Sequence, residues 1–285
     1  MGDRVDDASA AGLLRNAVAV PDVGAMLDAL LSGIREALGP NLVGVYLRGS
    51  LALGDFDPST SDIDFLAVTE CPVSDAEFAA LAEMHTRLTG LPNRYVRRLE
   101  GSYIDRVALR RFAPGQRRHP TVGVDWDFGW AEHRDNWVLE RWAVRECAVS
   151  LLGPDPKDLI DPIPPDELRE AVQGELAARL RGWAAEPIGP DWLLPRYYQA
   201  FEVETMCRAL YTLAHGDLPS KPRAVAWALG ALPVPWQSLV EQSQVWRADE
   251  TADATTLPEV LRFVRWAATE GTEFVGHPQE AGAAP

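Results

Sequence analysis

Cysteine is scarce in this chain of 285 residues, which contains only Cys71, Cys147 and Cys207. Their number is odd, their spacing is wide, and no Cys-x-x-Cys pair occurs. These features exclude a disulfide framework and a cysteine-based zinc site from the expected organisation. The cysteine content predicts a reducing, cytoplasmic location.

Basic side chains are also in short supply, since 27 Lys and Arg face 42 Asp and Glu and the formal net charge is −15. Proteins that hold nucleic acid neutralise its phosphates with a basic surface, so no nucleic-acid partner is expected. A small polycationic ligand suits an acidic protein better. The alternative is that the acidity only keeps the protein soluble.

The chain has no apolar run long enough for a membrane span, and its first residues, Met1–Asp7, are acidic where a secretory signal would be basic. No membrane partner is therefore expected. The Walker pattern Gly-x-x-x-x-Gly-Lys, the metalloprotease pattern His-Glu-x-x-His and the hydrolase pattern Gly-x-Ser-x-Gly are also absent. The sequence therefore does not indicate a P-loop nucleotide hydrolase, a zinc metalloprotease or a serine hydrolase of the Gly-x-Ser-x-Gly type.

Hydrophobic residues make up 47% of the sequence, enough for one large domain or two of ordinary size. Apolar spacing predicts a helix over 23–38, strands over 43–47 and 63–68, a helix that starts near Ser74, a strand over 95–104 and a helix over 137–149. A proline-dense break at 153–165 predicts domains at 1–157 and 158–285. Helical segments follow at 166–184, 193–215, 221–231, 236–247 and 257–269. The expected fold class is α+β, with a mixed sheet and flanking helices followed by an all-α bundle.

Paired carboxylates are the strongest chemical signal. Asp62 and Asp64 are separated by Ile63 at the start of the second predicted strand, so alternation puts both on one face. Two adjacent carboxylates repel unless a cation lies between them, and Mg²⁺ is the natural hard cation for oxygen ligands. The pair therefore predicts a magnesium site, with exposed turn or strand-edge acids as the alternative.

Gly49 and Ser50 follow the first predicted strand and supply a second signal. A glycine lets the backbone approach a ligand closely, and a helix that opens at Leu51 would aim amide groups at a phosphate. The Ser50 hydroxyl can add a donor. We therefore expect Gly49 and Ser50 to bind a nucleotide, the alternative being an ordinary turn.

Metal-assisted chemistry at a phosphate needs a base as well as metal ligands, so a third carboxylate from a neighbouring strand is expected. Glu100 is the best-placed candidate in the sequence, and Asp105 is its main competitor. Glu100 could act as the base, as a metal ligand or as both. The alternative is that Glu100 is a solvated strand residue.

Gly49-Ser50 together with Ser61-Asp62-Ile63-Asp64 resembles the nucleotidyltransferase superfamily that includes DNA polymerase β. With Glu100 and the Leu-Leu-Gly-Pro break at 151–154, the chain is similar to the aminoglycoside adenylyltransferases of the streptomycin/spectinomycin type. The resemblance implies that Asp62 and Asp64 bind Mg²⁺ and that Glu100 is the catalytic base, while Glu100 also remains a candidate metal ligand. Within the motif, Ser61 is expected to join Gly49 and Ser50 in binding the nucleotide.

Further residues inherit roles only from this resemblance. Family members place an Arg and a Lys from the helical domain on the ATP phosphates, which implies Arg208 and Lys221 in this chain. The alternatives are a helix salt bridge for Arg208 and a surface charge for Lys221.

For the acceptor, the resemblance implies contacts from Trp130, Trp183 and Asp191, although tryptophans often only fill a core. Glu202, with Glu204, could meet ammonium groups, although acids on a helix face are commonly just solvated. The chain departs from the family because no carboxylate stands within 193–196, where a second drug-contacting acid is expected.

The function implied is Mg²⁺-dependent transfer of AMP from ATP to a hydroxyl of an aminoglycoside or aminocyclitol antibiotic, with release of pyrophosphate. The partners expected are ATP and a small cationic sugar, and the protein is expected to be a monomer. One alternative is a nucleotidyltransferase for another acceptor, such as a biosynthetic intermediate or a protein. Another is a non-catalytic nucleotide-binding module.

Overall fold

The computed structural model describes residues 20–124, 126–134, 136–186 and 189–276. The acidic leader at Met1–Asp7 lies outside this range. The chain divides into two compact units, Met1–Pro162 and Ile163–Pro285. The division falls inside the proline-dense segment between the two predicted domains.

The first unit is built on a six-stranded sheet with strand order β5-β4-β3-β2-β1-β6. The strands are β1 (Leu42–Leu47), β2 (Ile63–Thr69), β3 (Leu99–Asp105), β4 (Arg118–Gly123), β5 (Trp126–Glu132) and β6 (Val149–Leu152). β2 and β3 run parallel and the other neighbours run antiparallel, so the sheet is mixed.

Six helices accompany the described part of this sheet: α1 (Pro21–Leu38), α2 (Gly49–Leu53), α3 (Asp75–Thr89), α4 (Arg106–Arg110), α5 (Asn136–Cys147) and α6 (Pro156–Leu159). Buried side chains of α1 and α3 pack on one face of the sheet, against Val45, Phe65 and Tyr103. Asp64 lies between Ile63 and Phe65 on β2, so alternation leaves its side chain on the other face.

The start of α3 shows how local sequence fixes an element. Ser74 accepts a hydrogen bond from the Glu77 amide, and the Glu77 carboxylate accepts from the Ser74 amide at 2.8 Å. This reciprocal capping box satisfies two amide groups that the first helical turn leaves free. The predicted helix start at Ser74 is confirmed.

Two predicted elements in the first unit were wrong in extent. The strand expected over 95–104 begins only at Leu99, because Asn93 Oδ1 accepts from the Tyr95 amide and holds the preceding residues in a turn. The helix expected over 137–149 ends at Cys147, and Val149 begins β6, which pairs with β1. In both places a tertiary or side-chain contact overrides the local apolar pattern.

The second unit is helical, as predicted. It contains α7 (Pro165–Arg181), α8 (Arg196–His215), α9 (Lys221–Ala231), α10 (Val234–Ser243), α11 (Leu257–Ala267) and α12 (Glu270–Gly276), with short 3-10 turns at Trp183–Ala185 and Asp191–Leu193. The long helix α8 packs against all of the other five helices. Its buried side chains include Val203, Met206 and Leu210, which are fully shielded from solvent.

The mixed sheet with its helices, followed by a helical unit, confirms the predicted α+β fold class. Within the described ranges, the helices are either too short or too polar to cross a bilayer.

Candidate active site

The register of the sheet brings two of the predicted carboxylates side by side. Asp64 on β2 is the direct partner of Glu100 on the parallel strand β3. Asp62 lies two residues before Asp64, and its Oδ1 atom is 3.8 Å from Nε of Arg98. Because paired residues and alternate residues share a face, all three carboxylates belong to one region of the sheet.

The turn after β1 packs directly against Asp64. Gly49 has a φ of +61°, and a Cβ atom at this position would lie 2.1 Å from Oδ2 of Asp64. Only glycine tolerates both the positive φ and the close approach. The glycine expected to admit a ligand therefore also makes room for the carboxylate itself.

The two serines of the motif lie on either side of the connecting loop. Ser50 belongs to the five-residue helix α2, and its carbonyl accepts from the amides of Gly54 and Asp55. Ser61 Oγ accepts from the Asp57 amide at 3.0 Å. Ser61 thus shapes the loop that leads into β2.

Arg48 joins the carboxylates, a role that was not predicted from the sequence. Its side chain is only 8% exposed, and Nη2 donates to Oε1 of Glu100 at 3.2 Å, while Nη1 lies 3.7 Å from Oδ1 of Asp64. Nη1 also donates to Oε2 of Glu140, on α5, at 2.7 Å. One guanidinium therefore contacts three carboxylates.

A sequence signal existed for Arg48 but not for Glu140. Arg48 directly precedes Gly49-Ser50, so the end of β1 was certain to carry it to the motif. Glu140 is 92 residues away and reaches Arg48 only because α5 lies beside the end of β1. No spacing rule connects these two positions.

Burial and neighbouring charge disturb the protonation of this cluster. Burial raises the pKa of the Asp64 carboxyl to about 7; Arg48 opposes this, while Glu100, Glu140 and Asp62 add to it. Burial by itself would lower the pKa of Arg48, but the three facing carboxylates outweigh it and raise that pKa. The guanidinium therefore stays charged and is the main counterion of the site.

Asp105, the other candidate for the third carboxylate, has a structural role instead. Asp105, at the far end of β3, accepts from the amides of Val107 and Ala108 at 3.0 Å and so caps α4. Its carboxylate is used in the fold, at the opposite end of the strand from Glu100.

The donor set fits a hard divalent cation in chemistry, because Asp62, Asp64 and Glu100 all offer carboxylate oxygens. Across the described ranges, however, no three His, Cys, Asp or Glu side chains are already gathered in a metal-binding arrangement. Arg48 holds Asp64 and Glu100, and Arg98 lies beside Asp62. In the described part of the chain, these three carboxylates thus lie beside arginine guanidinium groups.

Trp130, predicted to contact the acceptor, packs elsewhere. Its ring stacks on Phe78 of α3, with centroids 5.2 Å apart and planes 8° apart. The guanidinium of Arg118 lies 5.6 Å from the Trp130 ring centroid. Trp130 therefore extends an aromatic layer between the sheet and α3.

Strand register places this aromatic layer on the opposite face of the sheet from Glu100. Ser102 shares a face with Glu100 and pairs with Thr121, which in turn pairs with Gly129. Trp130 follows Gly129 and so points to the opposite face. The structure does not bring Trp130 together with Asp62, Asp64 and Glu100.

The two predicted phosphate-binding cations lie close together in the second unit. Arg208 on α8 donates from Nε to the Pro219 carbonyl, in the loop that leads to Lys221 at the start of α9. Lys221 Nζ is 3.9 Å from Oε2 of the buried Glu204 and 4.7 Å from the Phe201 ring centroid. Both cations thus border the same part of α8.

The remaining predicted acceptor residues have different environments. Trp183 packs edge-on against Trp192, with centroids 5.4 Å apart, and Asp191 is exposed beside it. Glu202 is buried, and its Oε2 accepts from Nε of Arg179 at 3.3 Å. Trp183 and Asp191 therefore lie near each other, whereas the Glu202 carboxylate is already paired with Arg179 of α7.

Comparisons with known proteins match both units. Residues 28–112 match the nucleotidyltransferase domain family, and residues 158–270 match the family described as aminoglycoside adenylyltransferase, C-terminal domain. The chain is 26% identical over 276 residues to an aminoglycoside (3'') (9) adenylyltransferase of Shigella flexneri, covering 92% of this chain and all of the relative. It is 24% identical over 220 residues to a spectinomycin 9-adenylyltransferase of Staphylococcus aureus, covering 70% of this chain and 75% of the relative.

A solved structure shares the fold. The spectinomycin adenyltransferase AAD(9) from Enterococcus faecialis, determined with ATP and spectinomycin, has a TM-score of 0.68 at 16% identity and covers 87% of this chain and 98% of its own. The predicted resemblance is confirmed by these matches. The chain therefore combines a nucleotidyltransferase domain with a C-terminal domain of the aminoglycoside adenylyltransferase type, and it is similar over 92% of its length to a named adenylyltransferase.

Proposed function

We propose that this protein transfers AMP from ATP, with Mg²⁺, to a hydroxyl of an aminoglycoside or aminocyclitol antibiotic and releases pyrophosphate. The observation that carries the proposal is the grouping of Asp62, Asp64 and Glu100 beside the Gly49-Ser50 turn. Similarity to proteins named adenylyltransferases supports the same chemistry. The net charge of −15 favours a cationic acceptor.

We assign the transfer of AMP to a nucleotidyltransferase domain at 1–157. We assign the binding of substrate and nucleotide to a helical domain at 158–285. Asp62, Asp64 and Glu100 would hold the metal. When bound, Mg²⁺ would neutralise negative charge on the triphosphate and on the departing pyrophosphate.

In the proposed reaction, Glu100 is the general base. Its carboxylate accepts the proton of the acceptor hydroxyl while the hydroxyl oxygen forms a bond to the α-phosphorus of ATP. The bond between the α-phosphorus and the oxygen bridging to the β-phosphate breaks, and pyrophosphate leaves. The Glu100 side chain is 47% exposed, which supports access by an acceptor.

The nucleotide is assigned to Gly49, Ser50 and Ser61 in the first domain and to Arg208 and Lys221 in the second. Cationic side chains suit phosphate oxygens because charge-assisted hydrogen bonds are strong. The Lys221 side chain is 41% exposed, and its Nζ lies 3.9 Å from the Glu204 carboxylate, so it is available for such a contact.

Trp183 and Asp191 are the residues we assign to the acceptor. An exposed aspartate beside an aromatic side chain can pair with an ammonium group while the ring packs on a sugar. Glu202 and Trp130 are left out of this assignment, because Arg179 occupies the Glu202 carboxylate and Trp130 faces away from Glu100.

The second candidate function is the same chemistry on a different acceptor, such as a biosynthetic intermediate or a protein. One observation favours it: residues 193–196 contain no carboxylate. A cationic drug would lose an ion pair there, so this chain and a streptomycin-modifying relative need not share an acceptor.

The test is release of pyrophosphate from ATP and Mg²⁺ with streptomycin, spectinomycin and other aminoglycosides as acceptors. Native protein is compared with Glu100→Gln and with the control Glu70→Gln. Glu70 is an exposed acid at the other end of the neighbouring strand, where it pairs with Arg106. Mass spectrometry of the drug identifies the adenylylated product.

We expect acceptor-dependent release by the native protein and by Glu70→Gln, and a loss of roughly 100-fold or more in Glu100→Gln, the usual scale for a general base. If no drug supports release but a non-drug acceptor added in a second series does, the second candidate is favoured. ATP binding without release for any acceptor would overturn the proposal.

A further inference from the structure

Arg48 is paired with carboxylates that a bound metal ion would need. Its guanidinium lies 3.2 Å from Glu100 and 3.7 Å from Asp64, two of the three carboxylates proposed to bind Mg²⁺. A guanidinium and a divalent cation compete for the same oxygens, and each repels the other at such distances. Binding a metal therefore requires a change in what Arg48 contacts.

Glu140 offers the contact that Arg48 would keep. The distance from Nη1 of Arg48 to Oε2 of Glu140 is 2.7 Å, the shortest of the three ion pairs. Glu140 comes from α5 and lies outside the Asp62-Asp64-Glu100 set. Glu140 can thus stay paired with Arg48 when Asp64 and Glu100 turn to another cation.

The guanidinium is held by charge more than by complete hydrogen bonding. Nε of Arg48 is buried and has no hydrogen-bond partner among the described residues, while both Nη atoms face carboxylates. Arginine in a fully satisfied network loses more when it moves. A small shift toward Glu140 would leave the Nη1 bond intact.

We propose that Arg48 and Glu140 are positioning residues for the metal site: Arg48 neutralises Asp64 and Glu100 until a divalent cation binds, and Glu140 then retains the guanidinium. The inference rests on the proposed function, because it concerns the metal that the reaction would use. It assigns no step of the chemistry to either residue.

The consequence is that two variants that break the same ion pair should change metal affinity in opposite directions. Glu140→Gln leaves the positive charge of Arg48 uncompensated beside the metal, so affinity should fall. Arg48→Met removes that positive charge, so affinity should rise. A purely structural role for the pair would weaken binding in both variants.

The experiment is a titration with Mn²⁺, followed by electron paramagnetic resonance, in the absence of nucleotide and acceptor. The matched control is Glu146→Gln. Glu146 lies on the same helix with the same 32% side-chain exposure as Glu140, but it pairs with Arg145 and Lys157. Thermal unfolding without metal is measured for each variant.

We expect Glu140→Gln to bind Mn²⁺ roughly tenfold or more weakly than native protein and Arg48→Met to bind it more tightly, with Glu146→Gln unchanged. Glu140→Gln is isosteric and partly exposed, so its Mn²⁺ affinity tests the inference even if Arg48→Met does not fold.

Native affinity in Glu140→Gln would overturn the inference, and so would equal weakening in Glu140→Gln and Glu146→Gln. A native protein that does not bind Mn²⁺ would overturn it as well. Failure of the two proposals can be told apart. If no antibiotic is adenylylated but Glu140→Gln binds Mn²⁺ more weakly and Arg48→Met more tightly than native protein, the proposed acceptor is wrong and this inference stands.

Discussion

Replacing Gly49 by alanine should reduce activity in the folded protein as well as stability, because the added methyl group displaces Asp64. The backbone there has a φ of +61°, and the added methyl group would lie 2.1 Å from Oδ2, 2.8 Å from Cγ and 3.2 Å from Cβ of Asp64. Rotating the carboxylate cannot relieve all three contacts. The whole Asp64 side chain must therefore move away from the turn.

Two magnitudes follow from this geometry. A non-glycine residue with positive φ costs about 1–3 kcal/mol of folding free energy. Ordinary contact begins at 3.4 Å, so Oδ2 must shift by more than 1 Å. A displacement of that size in a reacting constellation can reduce the rate by about 100-fold, or about 2.7 kcal/mol of transition-state stabilisation.

Gly39→Ala is the matched control. Gly39 also has a positive φ, +48°, but a Cβ atom built there has no neighbour within 4 Å. It lies just after α1, away from the carboxylates. This variant carries backbone strain without displacing any active-site atom.

Both variants are assayed by urea unfolding and by acceptor-dependent release of pyrophosphate. We expect both variants to lose unfolding free energy, and Gly49→Ala to lose at least as much as Gly39→Ala because it adds the overlap with Asp64. Gly39→Ala should keep near-native activity per folded molecule, whereas Gly49→Ala should lose roughly 100-fold in kcat/KM. Equal activities in the two variants would refute the reasoning, because they would mean that the position of Asp64 does not limit the reaction.

Two further predictions concern stability. Burial lowers the pKa of His85 to about 4, so its neutral form stabilises the fold above pH 6.5 and this stability is lost as the pH falls toward 4. Between pH 7 and pH 5, the unfolding free energy of His85→Gln should therefore fall by about 2 kcal/mol less than that of native protein. Equal losses in the two proteins would contradict this prediction. Arg179→Met should cost about 3 kcal/mol in urea unfolding, because it leaves the buried Glu202 carboxylate without its Arg179 partner. Most of that loss should return when Glu202→Leu is added, and an unrecovered double variant would count against the ion pair as the cause.

Much of the fold was predictable because its signals are local. The capping box at Ser74 and Glu77 needs only a spacing of three residues, and α9 (Lys221–Ala231) was predicted with its observed bounds. A strand that depends on a distant partner was missed. Val149 continues the apolar pattern of α5, yet it forms β6 because the edge of β1 is open to it.

In the candidate site, the sequence by itself determined the proposed reactive groups and the glycine turn. Gly49-Ser50, Asp62, Asp64 and Glu100 are recognisable from their order and spacing, since a strand period of two puts the aspartates on one face. The pairing of Asp64 with Glu100 was expected, but its register is a property of the assembled sheet.

Only the tertiary structure decided which charges surround those groups and which residues face them. Arg48 meets Glu140 across 92 residues of chain, and a single step of strand alternation puts Trp130 on the opposite face from Glu100. Local patterns fix which side of an element a residue occupies. Packing alone fixes what lies across from it, because pairing register and helix placement depend on burial over the whole unit.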